Sequence, residues 1–119
     1  MALENEKKNL EFTIIVHGVS AHGSTPHLGK DAIVAASAII QAAQTLVSRV
    51  NDPLRPLALG FEAVKAGHQF NIVCDEVKLD GSLFSYDEEC IFDMAQKLKK
   101  LAQKTAEAFG CNADLILAQ

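Results

Sequence analysis

The sequence predicts an α+β domain of the split βαβ, or ferredoxin-like, kind: a four-stranded antiparallel sheet with two helices on one face. Three observations lead there. Two long segments repeat apolar residues at spacings of three and four. Four shorter segments alternate in polarity or concentrate β-branched residues. Gly, Pro, Asn or Asp marks most of the junctions. In chain order the elements read strand, helix, strand, strand, helix, strand.

The first strand is Leu10 to Val16, β-branched and aromatic, ending at His17-Gly18. A loop runs to Gly29. The first helix covers Asp31 to Val50, with Ala32, Ile33, Ala36, Ile39, Ile40, Ala43, Leu46, Val47 and Val50 as its inward stripe. Asp31 suits the positive end of the helix dipole, and Asn51-Asp52-Pro53 stops the helix. Residues 57–66 alternate as a second strand, and Gly67-His68-Gln69 is a turn. Val73, Val77, Leu79 and Leu83 share one parity of a third strand, which forms a long hairpin with the second. Ser85 and Glu88 fit a capping box for the second helix, whose inward residues are Ile91, Phe92, Ala95, Leu98, Leu101, Ala102, Thr105 and Phe109. Gly110 caps its end, and Asn112 to Ala118 forms the fourth strand.

A chain of 119 residues fits one domain, and 49% hydrophobic residues suffice for an ordered core. Eleven basic against fifteen acidic residues, without a basic stripe carrying aromatics, exclude nucleic acid as the expected partner. The longest nearly apolar run, Ala32 to Ile40, is too short to span a membrane, so no membrane association is expected. The leader over residues 1–9 is polar and lacks a signal peptide's apolar core; it reads as disordered or vector-derived, ahead of a domain over 10–119. Cys74, Cys90 and Cys111 lie far apart with no CxxC, which points to buried thiols in a reducing cytoplasm rather than a zinc knuckle or disulfides.

His17, His22 and His27 recur at intervals of five through a loop of Gly, Ser, Thr and Pro. Only Asp31 is near as a carboxylate, so a self-contained zinc site is disfavoured and no metal ligand is assigned in this chain. The spacing itself is read as incidental.

Three stretches carry a family resemblance: GVSAHGSTPHLGKDA at 18–32, AGHQFNIVCDEVKLDG at 66–81 and SYDEE at 85–89. Together, in this order, they resemble the small domain of the M20 family of metal-dependent amidohydrolases and exopeptidases, which includes hippurate hydrolase, aminoacylase and indole-acetyl-amino-acid hydrolases. The resemblance runs from about residue 10 to 118.

That resemblance implies a lid and dimerisation domain, excised from a larger two-domain enzyme that hydrolyses N-acyl amino acids or small peptides. A divalent metal (zinc, or manganese or cobalt) and a general-base glutamate would sit in the separate catalytic domain, whose His-x-Asp motif does not occur here. The isolated domain is therefore expected to be inactive and to need no cofactor of its own. The implied partners are a second copy, through an edge strand and a neighbouring helix, the catalytic domain of the same polypeptide, and a small amide substrate.

By the same resemblance His22 is the catalytic residue, entering the partner subunit's active site to bind the scissile carbonyl and its oxyanion. Asn71 is the implied substrate-binding residue, for a carboxylate. His27, between Pro26 and the first helix, is a second substrate-binding candidate from its position, with contact to the dimer partner or loop packing as its alternatives. Cys74 replaces a proline common in the family, and Asp80 and Phe84 stand where many members carry arginines, so amino-acid specificity does not transfer. The competing reading is a free-standing ferredoxin-like regulatory or small-ligand-binding module, which composition and fold allow equally.

Overall fold

The computed structural model describes residues 7–67 and 69–118. Strands β1 (Lys8–His17), β2 (Ala58–Ala66), β3 (Glu76–Ser85) and β4 (Asn112–Leu117) form one antiparallel sheet in the order β2-β3-β1-β4. Helices α1 (Ala32–Thr45) and α2 (Glu88–Ala108) cover one face. The expected ferredoxin-like α+β fold is the observed one.

Register explains the core. Ile14 lies opposite Leu79 and Leu115, and Val16 opposite Val77 and Ala113. Each row thus delivers three apolar side chains to the helices. Into them pack Ala35, Ala36, Ile39 and Ala43 of α1, and Ile91, Met94, Leu98 and Ala102 of α2. The alanines keep both helix axes close to the sheet, while each fully buried Leu or Ile contributes roughly 1.5–3 kcal/mol. Gly81 pairs with Phe12 on one side and Phe61 on the other. Those rings meet edge to face at 5.7 Å, and a Cβ at Gly81 would strike the Phe12 ring and the Gly60 carbonyl.

Helix ends follow side-chain chemistry. The Asp31 carboxylate accepts from the Ile33 and Val34 N–H groups and so caps α1. After Thr45 the helix widens into a π-helical turn, Leu46–Val50, where Asn51 ends it by donating its Nδ2 to the Arg55 carbonyl at 2.7 Å. Gly110, at φ 77°, closes α2: its N–H reaches the Glu107 carbonyl and that of Cys111 the Ala106 carbonyl.

Several sequence expectations need correction. β1 starts at Lys8, so residues 8 and 9 belong to the sheet rather than a leader, while residues 1–6 lie outside the described set. The cap of α2 is Asp87, which accepts from the Glu89 N–H; Ser85 instead donates to the Pro56 carbonyl at 2.7 Å. Ile33, Val50, Phe92 and Phe109, expected inward, are exposed. β3 starts at Glu76, and Val73 is buried from the connecting loop. The span Ala32–Val50, at mean hydropathy 1.4 over 19 residues, is long and apolar enough to cross a membrane by composition. Its buried stripe against the sheet is that of a core helix.

Candidate functional site at the His22–Asn71 junction

Two loops meet beyond the end of β1. Residues 18–31 lead into α1, and residues 67–75 lead into β3. They are stitched by backbone hydrogen bonds: Gly18 N–H to Asp75 O, Gly23 N–H to Asn71 O, Val73 N–H to Ala21 O and Ala32 N–H to Cys74 O, all between 2.7 and 3.0 Å. Val19 and Lys30 exchange two more at 2.8 Å, closing the first loop on itself. Cys74 is buried and passes its Sγ–H to the Glu76 carbonyl at 3.1 Å.

This stitching brings His22 against Asn71. Asn71 takes φ 67°, the left-handed region that asparagine tolerates better than most residues. A Cβ at position 23 would lie 2.5 Å from Asn71 Oδ1, so Gly23 is what lets the strands of this junction approach. The Asn71 amide nitrogen then lies 3.3 Å from His22 Nε2.

On the other side of the ring, Nδ1 accepts from the Ser24 N–H at 3.1 Å and lies 2.7 Å from Ser24 Oγ. A backbone N–H can only donate. The bond from Ser24 needs a lone pair on Nδ1 and the bond from the Asn71 amide nitrogen needs one on Nε2, so the neutral ring accepts one of the two and carries its proton on the other nitrogen. Both side chains are solvent-exposed. An exposed imidazole beside an amide, each able to donate an N–H, suits an oxygen supplied from outside, such as a carbonyl, a carboxylate or an oxyanion. Ser24 was not singled out from the sequence; the serine two residues after a loop histidine was the available signal.

The other histidines do not join this pair. His17 ends β1 on the uncovered sheet face, with Nδ1 3.9 Å from Glu76. His27 lies exposed in the single 3-10 turn Pro26–Leu28, and no hydrogen bond or ion pair among the described residues holds its ring. His68 lies outside the described residues. Among the described residues no three His, Cys, Asp or Glu side chains converge as a metal site. The described residues thus do not fit a catalytic metal, and no step through one is assigned to them. Cys74, Cys90 and Cys111 are all buried and free. Asp80 accepts from Thr13 Oγ1 at 2.7 Å, and Phe84 lies under Lys7, 4.4 Å from Nζ to ring centre.

Comparison with known proteins bears on the family and the fold. Residues 5–109 match the family model described as the peptidase dimerisation domain of M20 enzymes. An N-acetyldiaminopimelate deacetylase of Streptococcus sanguinis is 32% identical over 92% of this chain and 29% of its own length. The crystal structure of the aminopeptidase PepT from Bacillus cereus superposes at a TM-score of 0.79, with 26% identity over 94% of this chain and 29% of that one. A Bacillus subtilis protein described as a dinuclear metal-binding peptidase of the M20 family shares the fold, at a TM-score of 0.70 and 19% identity over 93% of this chain and 25% of that one. The chain spans less than a third of the length of each of these relatives. With a family match over most of its length and the fold to go with it, the chain belongs to the dimerisation-domain family of the M20 peptidases and amidohydrolases.

Proposed function

We propose that this domain is the lid of an M20 amidohydrolase cleaving N-acyl amino acids or small peptides, and that it supplies His22 to the active site of a partner subunit. The observation that carries the reading is the exposed His22–Asn71 pair, two side chains able to donate N–H groups to a substrate oxygen. Ser24 holds the ring at Nδ1, and the Asn71 amide nitrogen lies 3.3 Å from Nε2. In an amide hydrolase such donors serve the carbonyl oxygen as it gains negative charge, and gain strength as water is excluded. Asn71 alternatively holds the substrate's carboxylate, and His27, exposed in the turn before α1, is a further candidate for substrate contact. The divalent metal that activates water belongs to the catalytic part of the longer polypeptide.

The homodimer is proposed to form along β2. That strand is an edge of the sheet, and an unpaired edge is a template for a second copy. α1 packs on the β2 side and exposes Ile33 and Val34, while Val64 is exposed on β2 itself. A two-fold axis through this edge would join two sheets and bury all three side chains twice over. Free buried cysteines accord with a cytoplasmic location.

The test is a pair of measurements. Light scattering on the 119-residue chain should give twice its 12.8 kDa mass, and Val64→Lys should return it to a monomer. The same chain should not hydrolyse N-acetyl amino acids. Turnover by the chain alone would end the lid reading.

A further inference from the structure

A cleft of about 530 Å³ opens at one end of the uncovered sheet face, lined by His17, Lys65, Asp75, Glu76 and Lys78, with Gly67 at its edge. Lys65 and Lys78 are directly opposite one another in the β2–β3 register. Like charges so placed are destabilising. Among the described residues neither lysine has an ion-pair partner within 4.0 Å, although Asp75 and Glu76 share the cleft. Glu76 turns instead to His17, at 3.9 Å. Asp75 is held by its backbone, whose carbonyl accepts from the Gly18 N–H, and among the described residues its carboxylate has no ion-pair partner within 4.0 Å. Gly67 has φ 76°, and a Cβ there would meet nothing within 4 Å apart from its chain neighbours.

Two ammonium groups and two carboxylates thus face one cavity without pairing across it. A simple anion would meet the carboxylates, and a simple cation would meet the lysines. We propose that this cleft binds a small zwitterion, an α-amino acid or dipeptide, with its carboxylate on Lys65 and Lys78 and its ammonium on Asp75 and Glu76. The site is separate from the His22–Asn71 pair and does not depend on the role proposed for it.

An NMR titration of the 119-residue chain tests this, using glycylglycine, N-acetylglycine (carboxylate only) and glycinamide (ammonium only). Glycylglycine should give saturable shifts at the amides of Gly67, Asp75, Glu76 and Lys78. Each single-charge probe should bind about tenfold more weakly. Lys65→Gln and Lys78→Gln should each weaken glycylglycine by a similar factor while leaving Tm unchanged or higher, because the opposed charges are relieved. A merely structural role for the lysines would instead lower Tm. N-acetylglycine binding as tightly as glycylglycine, shifts that never saturate, or glutamine variants that bind like the wild type would each overturn the proposal.

Discussion

The layer beneath the two helices and the junction beyond the end of β1 are built on opposite principles. Under the helices, Ile14, Ile39, Leu79 and Leu98 are fully buried, and shape and apolar area hold them. At the junction, His22, Ser24 and Asn71 are exposed, and backbone hydrogen bonds between two loops hold the geometry. The difference separates stability from chemistry. Side chains at the junction can change with little effect on folding, whereas side chains in the layer cannot.

Variants that confuse the two regions would break this comparison. The largest stability effect belongs to the layer: Leu98→Ala should cost roughly 2–5 kcal/mol in urea unfolding, since its cavity opens among side chains that cannot all relax. In the longer enzyme, His22→Ala should lower kcat about 100-fold yet leave the unfolding free energy within about 0.5 kcal/mol. Comparable stability losses at both positions would refute the separation.

Smaller effects sharpen it. Asp31→Ala removes the cap of α1, which joins the two regions, and should cost roughly 1 kcal/mol by thermal unfolding. Asn71→Gly keeps the left-handed backbone and deletes the amide, so it should weaken substrate binding without loss of Tm; Asn71→Ala should lower both.

The smallest effect is electrostatic. The hydrogen bond from Arg55, helped by the Glu89 N–H, holds the Asp87 carboxyl below its ordinary range. A carboxyl lowered in the native state stabilises fully above its unfolded pKa and stops doing so as pH falls through the native value. Arg55→Gln should therefore slightly lower Tm at neutral pH, and the difference from wild type should fade in strong acid. Because the pair is exposed, salt should shrink it too.

Periodicity carried the fold because each element's apolar pattern matched its own geometry. It could not say which flank of a stripe the sheet would meet, and so Ile33 and Phe92 point outward. Ser85 looked like a cap from its neighbours alone. Its hydroxyl is taken by the Pro56 carbonyl, a partner 29 residues away that local spacing does not reveal. At the junction, the loop motifs singled out His22 and Asn71, but their approach to 3.3 Å comes from the pairing of two loops 49 residues apart, which local spacing does not reveal. Lys65 and Lys78 come from different strands, and only the register makes them neighbours.

Subunit mixing in the longer polypeptide puts the most direct question to this domain. One version carries His22→Ala; the other keeps His22 and is inactivated at a metal ligand of its catalytic part. If His22 works across the subunit boundary, reassociated dimers unite an intact metal site with an intact imidazole, and the mixture should regain about a quarter of wild-type activity. A mixture no more active than its two inactive components would contradict the account.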